Sequence, residues 1–185
     1  MPITINGSGS VTGISVGGLP DGIVDTDTLA VANRGKIIQC ISDDVNTQAT
    51  AASNTSYEEI TTAMRATISP KLATSKLIIT FNLAVRGYQI VTLRIMKDGT
   101  SAVYEDATGF SDSSSRSNTA FYADGAGIIG MQIIQVEETA GSTSSRYYTP
   151  FWYSPSGHTM GFNRWTSDNA NYGWTSSYQI LEVAA

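Results

Sequence analysis

From Lys36 to the C-terminus the apolar residues recur at every second position in short segments, and Gly, Ser, Asn or Asp closes each segment. That period belongs to strands, whose successive side chains point to opposite faces, whereas a helix needs apolar residues three and four apart. β-Branched residues dominate the segments, which suits a pleated, half-buried surface. The segments are "KIIQCIS", "YEEITTAMRATIS", "SKLIITFNLAVRG", "IVTLRIMKDG", "TSAVYED", "IIGMQIIQVEE", "SRYYTPFWY", "TMGFN" and "SYQILEVAA". The pattern predicts an all-β chain, with about eight strands in a two-sheet jelly-roll β-sandwich. Lys-Asp-Gly is read as the turn of a hairpin into "TSAVYED", and "TAGSTS" as the turn of another between "IIGMQIIQVEE" and "SRYYTPFWY". "DDVNTQATAASNTS" and "GFSDSSSRSNTAFYADGAG" are read as exposed polar loops, and the last strand as half-buried through Tyr178, Ile180 and Val183.

The opening "MPITINGSGSVTGISVGGLPDG" behaves differently. Ile3, Ile5, Val11, Ile14, Val16 and Leu19 recur at strand-like intervals, but glycine and serine between them leave nothing to fill a core. "PDG" then marks a bend, and "LAVAN" is too short for a stable helix. Two parts follow: an extended Gly-rich arm over residues 1–34 and the sandwich over residues 35–185. The sandwich encloses its own core, so the arm is expected to bury its apolar residues on another subunit or another protein, because an unpaired strand on a monomer invites aggregation. The six residues named are the expected assembly contacts.

Chemistry is limited by what the chain contains. A net charge of −5, with Lys and Arg scattered singly, argues against nucleic acid as a partner. Secretion-signal and membrane-spanning patterns are both missing, so no membrane insertion is expected. One histidine and one cysteine cannot build a transition-metal centre, and neither a metal nor another cofactor is expected. Loop oxygens around Asp98, Asp106 or Asp112 leave calcium open, without a twelve-residue ligand pattern. Cys40 is expected to pack as a small apolar residue. The doublets Asp43-Asp44, Glu58-Glu59, Glu105-Asp106 and Glu137-Glu138 put neighbours on opposite strand faces, so they are read as solvated charges rather than catalytic pairs. His158 with Ser156 and Asp168 sketches a triad, but no strand-turn-helix elbow surrounds the serine. The glycines of "GSGSVTG" open no helix and precede no Lys-Ser or Lys-Thr. No catalytic residues are assigned, and the protein is expected not to be an enzyme.

One compositional bias remains. All three tryptophans fall between Tyr147 and Tyr178, and "NRWTSDNANYGW" carries Trp165, Tyr172 and Trp174 among Asp168, Asn169 and Asn171. Aromatic faces stack on the apolar faces of sugars, while amides and carboxylates bond their hydroxyls, so these six residues are the candidate glycan site. Equally, Trp165 and Trp174 would serve to cover the open end of a sandwich or to form a subunit interface.

"TINGSGSVTGISVGGLPDGIVDTDTLA" resembles the N-terminal segment of fibre-like and virion-surface proteins of tailed bacteriophages, cyanophages among them. "RGKIIQCIS", "ISPKLATSKLIITFNLAV" and the terminal "YQILEVAA" are similar to the same proteins, and the part after the arm to the trimeric jelly-roll heads of the tumour-necrosis-factor and C1q kind. The resemblance implies a homotrimer in the virion, anchored to other virion proteins through its arm, with a head exposed to host surface polysaccharide. It leaves open a capsid decoration protein that clamps the shell and, more remotely, a fibre-borne glycan-degrading enzyme.

Overall fold

The computed structural model describes residues 4–5, 11–12, 36–51, 56–103, 119–154, 159–164 and 173–184, with the backbone alone for 4–5, 11–12, 51, 88–89 and 119–129. The chain divides into two units, residues 1–34 and 35–185. In the first, β1 (Thr4–Ile5) pairs antiparallel with β2 (Val11–Thr12), Ile5 opposite Val11, so this part of the arm doubles back on itself. Ile3, Ile14, Val16 and Leu19 lie outside the described residues.

The second unit is an antiparallel sandwich. Its strands are β3 (Ile37–Val45), β4 (Ala49–Ala51), β5 (Glu58–Glu59), β6 (Ala66–Ile68), β7 (Lys76–Lys97), β8 (Ser101–Val103), β9 (Thr119–Thr139), β10 (Arg146–Tyr153), β11 (Met160–Phe162) and β12 (Ser176–Val183). All are hydrogen-bonded into one ten-stranded network along the order β3-β12-β7-β10-β5. One network serves two layers because of β7. A straight strand of its 22 residues spans roughly 70 Å. Yet Lys97 Nζ, at its C-terminal end, lies 3.2 Å from Glu138, and Glu138 pairs opposite Leu77 at its N-terminal end. β7 therefore folds over, and β9, paired along it, folds with it. The register shift between Gly87 and Gln89, where Gly87 faces Ile128 and Gln89 faces Ala123, marks the corner. β6 closes the structure by lying against β3 and β12.

Alternation along β7 sets the core. Leu77, Ile79, Phe81, Leu83, Val85, Val91, Leu93 and Ile95 are fully buried on one face through the whole strand, and Tyr148, Trp152, Met160, Phe162 and Ile180 fill the space between the layers.

Several segments differ from their reading in sequence. "SKLIITFNLAVRG" and "IVTLRIMKDG" are one strand, since Gly87 makes a corner without ending the hydrogen-bonded ladder. The Ser-rich "loop" is strand from Thr119 onward, its glycines lying at that corner. β9 and β10 do not form a hairpin: they occupy opposite edges of β7. "YEEITTAMRATIS" breaks into β5, a 3₁₀ turn at Thr62–Met64 and β6. The polar loop after β3 contains β4, which pairs with β11. Cys40 is exposed rather than packed, because it stands opposite Leu181 on the outer face. The last strand turns Glu182 inward, not Val183, and Glu182 is fully buried.

The Lys-Asp-Gly turn forms as read. Asp98 and Gly99 have φ of 50° and 68°, the two positive values of a type I′ turn, and Thr100 N–H donates to Lys97 O at 3.1 Å. A Cβ on Gly99 would sit 2.9 Å from Tyr147 Oη. Gly99→Ala is therefore expected to cost about 1–2 kcal/mol, from the positive φ and the displaced tyrosine. Urea unfolding checks it; an unchanged midpoint contradicts the turn geometry.

Candidate functional site

The residues that flank the predicted glycan segment form a defined base. Asn163, fully buried at the end of β11 with φ of 54°, donates from Nδ2 to Val45 O (2.7 Å) and Thr47 O (3.1 Å). Its Oδ1 accepts from Ser176 Oγ at 2.6 Å, and Ser176 Oγ in turn accepts from Ala84 N–H at 2.9 Å. Asn163 N–H donates to Ala84 O, and Trp174 N–H donates to Asn163 O. Arg164 and Gly173 then bridge antiparallel, at a point held to β3, β7 and β12. Of the six predicted glycan residues, Trp174 is placed here, half-buried; Trp165, Asp168, Asn169, Asn171 and Tyr172 lie outside the described residues, as do Ser156 and His158.

A second polar cluster joins the two layers. Tyr148 Oη donates to Glu138, which also meets Lys97 Nζ (3.2 Å) and Arg146 Nη1 (3.7 Å). Burial pushes the Tyr148 hydroxyl up, and the adjacent carboxylate adds to it. Tyr148 is fully buried, so nothing from solvent reaches it. The cluster is a clasp that locks the fold of β7. Glu59 plays a comparable part on the other layer: the Arg65 fork at 2.7 Å holds its carboxyl below the usual range against a smaller opposing effect of burial. Neither Glu138 nor Glu59 is the merely solvated charge expected from its doublet.

Glu182 is a third such group. It accepts from Lys71 N–H (2.8 Å), Leu72 N–H (3.0 Å) and Ser75 Oγ (2.6 Å). With its amide turned to satisfy both ends, Gln39 Nε2 donates to the second oxygen at 3.0 Å. This carboxylate ties the 69–75 connection to β12. Sequence reasoning missed Glu138 and Glu182 because the only signal, an acidic residue within an apolar alternation, is the same for a solvated and a buried carboxylate.

The accessible polar surface is elsewhere, on the outer face of β3, β12 and β7. Register aligns Ser42, Gln179 and Thr80 in one row and Asp44, Ser177 and Asn82 in the next. Directly opposed residues project to the same side. Together with Asp43 and Tyr178 they line an open groove of about 400 Å³. Asn82 Nδ2 donates to Ser177 Oγ at 3.1 Å, and Thr80 Oγ1 to Gln135 at 3.4 Å. Beyond β7, β9 ends the sheet: its second edge has no partner among the described residues, and Met131 and Ile133 project outward from it, 56% and 70% exposed.

The class these features define is an antiparallel β-sandwich. Among solved structures the chain is similar to a protein of the Bacillus endospore appendages, which are disulfide-linked pili, at 11% identity and a TM-score of 0.33, covering 85% of this chain and 98% of that one. It is also similar to a protein of infectious bursal disease virus, Gx strain, at 10% identity and a TM-score of 0.33, covering 80% of this chain and 39% of that one. Likeness at that level carries no functional argument. No protein-family model matches the chain, and no curated protein does.

Proposed function

We propose that the protein is a non-enzymatic structural component of a bacteriophage virion, a homotrimeric fibre or spike whose N-terminal arm joins it to other virion proteins and whose sandwich faces the host surface. The arm's resemblance to virion-surface proteins supplies the setting. The observation that best supports assembly is the β9 edge. Its segment "IIGMQIIQV" contains no charge and no proline, the devices by which strands at sheet edges ordinarily resist pairing. A lone chain bearing it would aggregate; a subunit in a closed oligomer covers it.

The test is mass in solution. Light scattering of the full chain is expected to give three copies, and Ile133→Asp to give one copy with an unchanged β-type circular dichroism spectrum. Ile133 is mostly exposed in the single chain, so the substitution should cost the fold less than about 0.5 kcal/mol. A wild-type chain that stays monomeric and soluble refutes the proposal. Gold labelling of purified particles then separates tail from capsid: label spread over the head assigns the trimer to decoration of the shell instead.

A further inference from the structure

We infer that the groove on the outer face of β3, β12 and β7 is a binding site for a neutral or amino-bearing saccharide, built from residues other than the tryptophans of the predicted glycan site. Three observations lead there. First, the groove is made by short side chains. Ser42, Ser177 and Asn82 occupy positions where exposed sheet faces ordinarily carry long or β-branched residues, and with Thr80 beside them the result is a trough of about 400 Å³ rather than a flat surface. That volume falls within the range of small-ligand sites.

Second, the lining is hydroxyls, amides and carboxylates arranged by the sheet itself. Neighbouring strands stand about 4.8 Å apart and alternate residues nearly 7 Å apart. Ser42, Gln179 and Thr80 in one row, with Asp44, Ser177 and Asn82 in the next, therefore make a two-by-three grid on the scale of a hexose ring. Carboxylates accept from sugar hydroxyls, amides both donate and accept, and the hydroxyls rotate to suit, which is the hydrogen-bonding repertoire a polyol requires. The grid is built on three paired strands, so it is held in position before any ligand arrives.

Third, charge selects among ligands. Asp44 projects into the groove, Asp43 flanks it on the same edge strand, and no Lys or Arg lines it among the described residues, so phosphate, sulfate and sialylated or uronic sugars meet repulsion. Neutral hexoses do not, and an amino sugar is attracted.

The probes are immobilised oligosaccharides of neutral hexose, glucosamine and sialic-acid type, followed by calorimetric titration of the strongest binder into the full chain with and without a chelator. Binding to neutral or glucosamine probes, in preference to sialylated ones and unaffected by chelator, is the expected result. Gln179→Ala and Asp44→Ala, both at exposed positions, should each weaken it about tenfold. Trp165→Ala and Trp174→Ala should leave it within about twofold of wild type. The inference is overturned if no neutral or glucosamine probe binds, if the tryptophan variants abolish binding while the groove variants do not, or if chelator abolishes it, which would assign Asp43 and Asp44 to a cation. Oligomeric state is measured separately, so a monomer that binds sugar keeps this inference while refuting the trimer, and a trimer that binds none does the reverse.

Discussion

Asn163→Ala is expected to lower the unfolding free energy by about 3–4 kcal/mol, the largest effect of any single polar substitution considered. Three separate losses add. Val45 O and Thr47 O lose the Nδ2 donor, and the buried Ser176 hydroxyl loses its acceptor. Alanine must also hold a φ of 54°, which costs a side chain without local hydrogen bonds about 1–2 kcal/mol. Asn163→Gly removes the last of these while keeping the others, so it should recover about 1 kcal/mol relative to alanine. Urea unfolding of the three proteins tests the order wild type, glycine, alanine. Hydrogen exchange adds a local readout: the Trp174 N–H, bonded to Asn163 O, should lose protection in both variants. Equal stability of alanine and wild type would mean that the loop base is held by other contacts.

Glu182→Gln is expected to cost about 2–3 kcal/mol at pH 7, because hydrogen bonds to an ionised group are stronger than those to a neutral one and this group sits at zero exposure. Its pH dependence has a definite sign. Burial pushes the carboxyl up, but the Ser75 hydroxyl, the Lys71 and Leu72 amides and the Lys71 charge outweigh that, and it titrates below the ordinary glutamate value. A carboxyl with a lower pKa folded than unfolded contributes its stabilisation in full above the unfolded value and loses it as pH falls through the folded one. The gap between wild type and Glu182→Gln should therefore be constant near neutrality and close on acidification below the unfolded glutamate range. Unfolding curves collected from pH 7 downward measure it. A gap that persists unchanged into strong acid would show that shape, not charge, is what Glu182 contributes.

These two residues show where sequence reading stops. Asn163 stands in "GFNRW", and nothing local distinguishes it from the asparagines of the following loop. The three partners of its side chain, Val45, Thr47 and Ser176, are up to 118 positions away. Glu182 lies in "QILEV", in phase with Tyr178 and Ile180, whereas the sequence reading makes Val183 the buried residue at the end of this strand; a carboxylate is buried without large cost only where donors converge on it. The donors come from the 69–75 connection, which no pattern in β12 announces. Among the candidate site residues, Trp174 is placed by the same network. The groove was not legible, because its rows run across β3, β12 and β7, and each strand alone contributes only a Ser, Thr, Asn, Gln or Asp at a solvent-facing position.

The amino-acid sequence by itself determined the all-β class, the placement of most strands and the Lys-Asp-Gly turn. Period-two alternation, β-branched content and the positive φ that glycine accepts are local properties, readable a few residues at a time. Only the tertiary structure decided that "SKLIITFNLAVRG" and "IVTLRIMKDG" are a single strand folded over at Gly87, that β9 and β10 flank it instead of pairing, that Glu138 is half-buried in ion pairs, and that Glu182 is fully buried. Strand pairing joins residues far apart in the chain, and its choice depends on which faces can be buried together. That is a property of the whole core, and no segment carries it alone.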